Sequence, residues 1–459
     1  MMTPRALAYH VLLHIEQKNV HPDKLLRALL KNHPYLSPAD RALITELVYG
    51  TLRWQGRLDW HVQKLSRVSF EKIKPEVRVL LRLGLYQLFF LNRIPDHAAV
   101  NETVRIARAT QPRYIVSFVN GILREAARRG PDEWEWPDPE REPGKFIAVT
   151  TSHPLWFVEK LAKKFPYDEI VEICEANNRV APLVFRFHPE KVSLETLSDW
   201  FRERSCSVEE GRYLRNALRV KGLREDLSQM EPFVKGWIQV QDEASQLVGY
   251  MVYPLAGERV LDLCCGHGVK TTQLAFLMEG KGEIVAVDSA AWKLESLEEN
   301  ARRLGVSIIT PLVSDVRSLS ADEIGLFDRV LLDAPCTGWG TVRRNPDIKW
   351  KTHPRDPWRI SRLQWDLLSH ASLFVQPGGT LTYATCSIFD EENLEVAVKF
   401  EKSFGWSRKI WGGNKGIRPG DLLPEVDEIV RDGYIQTFPH RHDVDGFFVI
   451  TWERPKGKR

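Results

Sequence analysis

The stretch Arg259-Val260-Leu261-Asp262-Leu263-Cys264-Cys265-Gly266-His267-Gly268-Val269-Lys270-Thr271 decides how this chain is read. Its first five residues form a short apolar run of strand type. Two glycines follow, and then a helical pattern over residues 271–278. A strand, a tight glycine turn and a helix bring backbone close to a ligand. Downstream, apolar runs recur at 284–288, 307–313, 329–333 and 380–384, with helical stretches between them. That βαβ rhythm predicts a mostly parallel, doubly wound sheet. Residues 434–438 and 447–452 read as a closing hairpin with no helix between them.

The ends of these runs carry the polar residues. Asp288 closes the second run, 22 residues after Gly266, where an acidic side chain can accept hydrogen bonds from ribose hydroxyls. Asp315 follows the third run and is placed to reach an adenine amino group; Asp333 ends the fourth. One such Asp alone reads as a helix cap. Three of them beside a glycine loop, at the sheet edge where ligands bind, point to a nucleoside cofactor. A dinucleotide wants G-x-G-x-x-G, and Thr271 stands where the third glycine belongs, so NAD fits poorly. S-adenosylmethionine, with one adenosine and no pyrophosphate, fits better. The expected cofactor site is Cys264, Cys265, Gly266, His267, Gly268, Val269, Lys270, Asp288, Asp315 and Asp333.

The six cysteines contain no C-x-x-C pair, so neither a disulfide scaffold nor a zinc site is expected. Two occupy telling positions. Cys336, in Asp333-Ala334-Pro335-Cys336-Thr337-Gly338, follows the fourth run, and Cys386, in Thr385-Cys386-Ser387, follows the fifth. Both therefore stand at the ligand edge, beside polar residues, which suggests reactivity. Either one alone reads as a buried, inert thiol.

The 459 residues are 43% hydrophobic and 27% charged, which excludes a disordered or collagenous chain. No uncharged stretch in the N-terminal third approaches the roughly 20 residues of a membrane span, and no signal-peptide pattern is visible. A cytoplasmic protein without membrane contact is expected. Net charge is +3, but residues 1–130 hold 21 basic and 10 acidic residues, which suggests a polyanion partner for that block. The block reads as all helical. Val77, Leu80, Leu81, Gly84, Leu85, Leu88 and Phe89 make one helical stripe, and Ser37-Pro38-Ala39-Asp40 is a helix start. Residues 131–144, with four prolines and six acidic residues, read as linker, with Trp134 and Trp136 able to pin it. The expected organisation is a helical domain at 1–130, an acidic linker at 131–150, a small α/β unit at 151–235 and the doubly wound domain at 236–455. A monomer is the default for such a chain.

Several motifs resemble the RNA 5-methylcytosine methyltransferases. They are Asp333-Ala334-Pro335-Cys336, Thr385-Cys386-Ser387, Gln241-Asp242-Glu243-Ala244-Ser245, the segment Arg343-Arg344-Asn345-Pro346-Asp347-Ile348-Lys349-Trp350, and Asp445-Gly446-Phe447-Phe448. Glu46-Leu47-Val48-Tyr49-Gly50, Pro95-Asp96-His97-Ala98-Ala99-Val100-Asn101-Glu102 and Val119-Asn120-Gly121-Ile122-Leu123-Arg124 resemble a NusB-like RNA-binding domain. Ser152-His153-Pro154 and Ala176-Asn177-Asn178 are similar to the RRM-like segment of the same enzymes. The resemblance implies a NusB-like all-α domain, a small RRM-like α/β segment and a Rossmann-like methyltransferase domain with a seven-stranded, mostly parallel sheet. The loop departs from the family's C-A-A-P-G-G-K: His267 stands for Pro and Val269 for Gly. Val269 then needs a negative φ, and His267 either meets the cofactor or faces solvent.

The resemblance also implies a chemistry. Carbon 5 of cytosine becomes nucleophilic once a thiolate adds to carbon 6. Cys386 is implied as that nucleophile, Asp333 as the group on the cytosine edge near ring nitrogen 3, and Cys336 as the residue of product release, with Lys270 supporting the site. The implied substrate is a flipped cytosine in a loop of small-subunit (16S) ribosomal RNA. Arg124, Arg128 and Arg129 are expected to meet phosphates, or failing that block, Arg343, Arg344 and Lys349. Two other readings stay open: the same chemistry on transfer RNA, and a non-catalytic RNA-binding or assembly factor.

Overall fold

The computed structural model describes residues 2–18, 20–131, 134–409 and 421–456. The chain forms two compact units, residues 1–180 together with 342–354, and residues 181–341 together with 355–459.

The first unit is helical. Ser37 caps the helix Pro38–Arg53, its hydroxyl accepting the Asp40 amide N–H at 3.1 Å. The helix Pro75–Phe90 is its central element, with ten residues buried from Val77 to Gln87. Inside it, the Arg82 guanidinium forks onto Asp59 at 2.6 and 2.9 Å and reaches Glu16 at 2.8 Å. The helix Arg113–Arg129 stops at Gly130, whose φ of 73° suits a residue without Cβ. The acidic stretch beyond is pinned by tryptophan. Trp134 Nε1 donates to Gly130 O at 2.8 Å, and Trp134 and Trp136 both set ring contacts on His61. Helices Pro143–Thr150, Leu155–Leu161 and Tyr167–Asn178 complete this part.

The segment 342–354 belongs to this helical unit, although the residues before and after it in sequence belong to the other. Lys349 is 1% exposed and donates to Arg53 O at 2.7 Å, Ser152 O at 2.8 Å and Asn178 Oδ1 at 2.9 Å. Trp350 Nε1 donates to Leu52 O at 2.6 Å. Arg343 is equally buried, and its backbone oxygen accepts from Arg53. Arg343 and Lys349 are therefore corrected from phosphate contacts to internal fastenings, because a lysine that donates three buried hydrogen bonds presents no charge to a polyanion.

The second unit holds two sheets. Strands β1 (Leu183–Phe187), β2 (Ser207–Glu210), β3 (Ala217–Lys221) and β4 (Ile238–Val240) pair antiparallel in the order β2-β3-β1-β4. The larger sheet contains β5 (Arg259–Leu263), β6 (Glu283–Asp288), β7 (Ile309–Val313), β8 (Phe327–Asp333), β9 (Val375–Thr385), β10 (Ser407–Arg408), β11 (Val430–Arg431), β12 (Tyr434–Gln436) and β13 (Phe448–Glu453). Its order is β11-β12-β13-β9-β8-β5-β6-β7, with β10 beside β13. The pairs among β5 to β9 are parallel, and those of β10 to β13 are antiparallel. Seven strands have three or more residues, and the two-residue β10 and β11 extend that set to nine. The expected hairpin pairs Tyr434 with Ile450, but a one-turn helix, Pro439–His442, stands inside its connection and corrects the helix-free reading. The chain leaves β5 toward β6 and β7 on one side, then returns to β8 and β9 on the other. This reversal is the switch point at which open α/β sheets bind ligands. Among the described residues, no helix is long and apolar enough to cross a membrane.

Candidate active site

The loop after β5 is shaped by backbone conformation. Cys264, Gly266 and Gly268 all have positive φ, at 60°, 58° and 73°. Two hydrogen bonds of 3.0 Å hold the turn, from Cys265 N–H to Val287 O and from Gly268 N–H to Cys265 O. The two glycines serve different ends. A Cβ on Gly268 would stand 2.4 Å from Leu297, so that position admits no side chain; a Cβ on Gly266 would meet nothing within 4 Å. Val269 opens the helix Val269–Leu277 and has no positive φ, so replacing the family's glycine strains nothing. His267 lies edge-on to Trp292, with ring centroids 5.3 Å apart.

Asp288, at the end of β6, is 5% exposed and faces this loop. Its Oδ2 accepts the Gly266 N–H at 3.0 Å and a Lys293 N–H at 3.1 Å; its Oδ1 accepts the Ala290 N–H at 2.9 Å. A carboxylate fixed to a glycine backbone, beside the open space a Gly266 Cβ would fill, fits a ribose and its nucleoside. Beneath it, Asp262 is fully buried and gives Oδ2 to the Thr271 hydroxyl at 2.6 Å. Burial pushes this carboxyl up to about 7. Asp315 is brought less close. It caps the turn Val316–Ser318, and its carboxylate is bound by Arg317 at 2.6 and 3.0 Å, which holds it down at about 2. No hydrogen bond ties it to the other expected residues.

The carboxyl ends of β8 and β9 carry the expected catalytic residues. Lys270 Nζ donates to Asp333 Oδ2 at 2.7 Å and stands 5.3 Å from the Phe447 ring centroid. Burial opposes its charge, but Asp333 outweighs burial and the ammonium is held above the usual lysine range. Cys336 Sγ and Cys386 Sγ are 3.3 Å apart. The contact with Cys386 and burial both hold Cys336 well above the ordinary thiol range, so Cys336 is a thiol, and either sulfur of the pair can be the donor. Cys264 is also pushed up, to about 12, by burial and by Asp288, and Cys265 is raised by burial and by Asp262, which keeps both as thiols.

The structure therefore gathers Cys264 to Lys270, Asp288, Asp333, Cys336 and Cys386 along one sheet edge, as the strand ends require. It adds residues the sequence did not single out. Lys293, five residues beyond Asp288, neutralises that carboxylate; i,i+5 is outside the i,i+4 helix pairing that would have signalled it. Glu392 accepts hydrogen bonds from Thr337 and Ser387, the residues that follow Cys336 and Cys386. Arg186 of β1, fully buried, donates to Gln241 Oε1 at 2.6 Å and Val269 O at 3.3 Å and so braces the loop from behind. The Gln241–Ser245 motif turns out to be framework: Asp242 caps the helix Glu243–Val252 and accepts the Asp445 N–H at 3.0 Å. Gly446 and Gly340 touch backbone to backbone, where a Cβ on Gly340 would stand 1.8 Å from Gly446 O. Gly340 N–H donates to Cys386 O at 2.9 Å and closes the Cys386 loop.

A mostly parallel sheet with a glycine loop, an acidic strand end and two thiols at one edge fits the RNA methyltransferase class that the motifs resemble. Comparison with known proteins makes this specific. Residues 250–452 match the family model 16S rRNA methyltransferase RsmB/F, residues 2–128 the NusB family, and residues 153–224 the RsmF/B-like ferredoxin-like domain. A probable ribosomal RNA small subunit methyltransferase B from Bacillus subtilis (strain 168) is 35% identical over 99% of each chain. The crystal structure of PH0851 is 26% identical, covers 99% of each chain and superposes with a TM-score of 0.81. NSun6 from Pyrococcus horikoshii with SFG shares the fold at 22% identity and a TM-score of 0.54, over 66% of this chain and 97% of its own. The chain belongs to the 16S rRNA methyltransferase RsmB/F family, and it is an S-adenosylmethionine-dependent RNA methyltransferase.

Proposed function

We propose that the protein methylates carbon 5 of a cytosine in small-subunit (16S) ribosomal RNA through a covalent bond from Cys386 to carbon 6 of the base. The observation that carries this reading is the 3.3 Å approach of Cys336 and Cys386 beside the Lys270–Asp333 pair, at the carboxyl edge of the sheet.

S-adenosylmethionine supplies an electrophilic methyl group when bound. Cys264 to Lys270 and Asp288 are the residues that would hold it, with Asp288 on the ribose and Asp315 beyond the third strand end. Cys336, as a thiol, donates to Cys386 and so stabilises the thiolate that attacks. Attack forms the S–C6 bond and makes carbon 5 nucleophilic. Asp333, held by Lys270, faces the base edge near ring nitrogen 3. After methylation carbon 5 must lose its proton and the S–C6 bond must break, returning Cys386 as thiolate. Once the Cys386 sulfur is bonded to carbon, Cys336 gives its own thiol proton to solvent and, as thiolate, takes the carbon 5 proton, which returns it to the thiol. The contact that keeps Cys336 protonated is with free Cys386 sulfur, so it weakens once that sulfur is bonded to carbon. The cytosine must leave its stack to reach two loops at the foot of the site.

The proposed division of the chain is RNA binding by 1–130, the linker at 131–150, the small α/β unit at 151–235 and catalysis by 236–455, in a cytoplasmic monomer. The +11 balance of residues 1–130 supports the RNA-binding assignment, as does the NusB family match. Arg128 and Arg129 reach the surface but share Glu125, at 2.6 and 2.8 Å, which leaves Arg124 as the more available phosphate contact.

The test supplies labelled S-adenosylmethionine with either 16S ribosomal RNA or transfer RNA from a strain lacking this gene. The expected result is labelled 5-methylcytosine in the ribosomal RNA alone. Label in transfer RNA would move the substrate, and no label in either would leave an RNA-binding factor.

A further inference from the structure

We infer that Glu392 is a positioning residue that holds the Cys336 and Cys386 loops at their working spacing. The inference rests on the covalent mechanism proposed above and assigns it a part that neither the motifs nor the family matches identify.

Glu392 ends the short turn Asp390–Glu392 and is fully buried. A buried carboxylate needs either a cation or enough hydrogen-bond donors to replace water. Among the described residues no cation pairs with it; it has four donors instead. Its Oε1 accepts the Thr337 amide N–H at 2.8 Å and a Gln364 N–H at 3.3 Å. Its Oε2 accepts the Thr337 hydroxyl at 2.6 Å and the Ser387 hydroxyl at 2.5 Å. Thr337 directly follows Cys336, and Ser387 directly follows Cys386. One carboxylate thus bonds the next residue after each thiol.

The neighbouring contacts tighten the same clamp. Gln364 also donates to Pro335 O at 2.9 Å, on the other side of Cys336. Asn393 takes the Thr385 hydroxyl at 2.5 Å and donates to Ser387 O at 2.9 Å, bracketing Cys386. Tyr383, inside β9, donates to the Glu392 carbonyl at 2.6 Å and fixes the turn to the sheet. Among the described residues, no hydrogen bond or ion pair joins Glu392 to the Cys264–Lys270 loop. Its influence is on the distance between the two sulfurs and not on cofactor binding. Thiol addition and elimination on one ring need both sulfurs placed closely, and a misplacement of about 1 Å can cost about 100-fold in rate.

The role separates from acid–base catalysis through the choice of substituent. Glutamine keeps the shape and most of the bridge, because the Thr337 and Ser387 hydroxyls can turn to accept from its amide. Alanine removes the bridge. The test uses the full-length protein and two readouts. The first is methyl transfer to 16S ribosomal RNA, resolved into kcat and the KM for S-adenosylmethionine. The second needs no RNA: diamide oxidises Cys336 and Cys386, each thiol giving up one hydrogen, the S–S bond forming and the N=N bond of diamide taking both hydrogens. The closure rate reports the spacing directly.

For Glu392→Ala, kcat is expected to fall about 100-fold with the cofactor KM unchanged, and disulfide closure is expected to slow at least tenfold. Glu392→Gln is expected to stay within about fivefold of the parent on both readouts. Should Glu392→Ala not fold, the pair Thr337→Val and Ser387→Ala removes the two hydroxyl bonds and is expected to slow closure likewise. Closure at the parent rate in Glu392→Ala, or in that pair, overturns the inference. So does Glu392→Gln as inactive as alanine, which would make the carboxylate a proton-transfer group. If closure slows as expected but methylation does not need Cys386, the covalent mechanism fails and the positioning role stands.

Discussion

Lys270 and Lys349 each stand in a motif that resembles the same family, and the structure gives them opposite duties. Lys270 stands at an open sheet edge against a carboxylate, with Asp333 2.7 Å away and its charge favoured. Lys349 is sealed in the helical unit, three carbonyl-type oxygens around its ammonium and no carboxylate among them. Burial therefore pushes it well below the usual lysine range. The difference teaches that a recognisable motif marks a fixed position without saying whether it serves chemistry or architecture. The partner oxygen tells them apart: carboxylates at a strand end build a site, and buried backbone carbonyls build a joint.

The comparison can be broken most sharply by removing each lysine. Lys270→Met is expected to lower kcat by about 100-fold or more, since it strips Asp333 of its partner at the proposed reacting edge, while stability falls by less than in Lys349→Met. Lys349→Met is expected to destabilise the helical unit by roughly 3 kcal/mol, because three buried oxygens lose their donors at once. Denaturant unfolding followed by tryptophan fluorescence, beside steady-state kinetics, reads both. Interchanged results would defeat the comparison.

Titration sharpens it next. A lysine whose value is lowered by folding binds its proton better in the unfolded chain. Stability should then rise with pH through the window between the lowered value and about 10.5. Lys270 has the opposite sign: its contribution is complete below about 10.5 and is lost only as pH climbs past its raised value. The pH slope of unfolding near 9 to 10 should therefore flatten in Lys349→Met and persist in Lys270→Met. Equal slopes would show that burial does not depress Lys349.

Two smaller effects concern the cofactor loop. Asp288→Ala removes the acceptor of Gly266 N–H and of Lys293 together, and calorimetric titration with S-adenosylmethionine is expected to show about tenfold weaker binding. Unchanged affinity would remove the ribose assignment. Val269→Gly restores the family residue at a first helical position that already has an ordinary φ. Stability should drop by no more than about 1 kcal/mol, and affinity should stay within about twofold. A large loss would mean that the Val269 side chain shapes the loop.

The fold was legible where topology leaves few choices. The run at 259–263 coincides with β5, and those at 284–288 and 329–333 miss β6 and β8 by one and two residues at the start. β9 begins five residues before the apolar run, because Gln376-Pro377-Gly378-Gly379 reads as a turn. There Gly378 takes a φ of 83° and the ladder with β8 slips in register, so the strand continues through residues that usually end one. The two-residue β10 and β11 leave no pattern to read. The site was legible for a related reason: in a parallel sheet, residues just past the strand ends must share one edge. What fell outside was anything decided by side chains meeting across long separations. The placement of 342–354 in the helical unit and the bridge from Glu392 to Thr337, 55 positions away, depend on packing that no local period encodes.

In the proposed mechanism the two sulfurs, 3.3 Å apart, do successive jobs, Cys386 forming the bond to RNA and Cys336 allowing its release. The most direct measurement incubates Cys386→Ala, Cys336→Ala and the double variant with 16S ribosomal RNA and S-adenosylmethionine, then resolves the products by denaturing gel electrophoresis. The account predicts a stalled protein–RNA adduct in Cys336→Ala, none in Cys386→Ala, and its disappearance in the double variant. An adduct in Cys386→Ala and none in Cys336→Ala would contradict it by reversing the roles; no adduct in any variant, with methylation intact in Cys386→Ala, would show that neither thiol bonds the base.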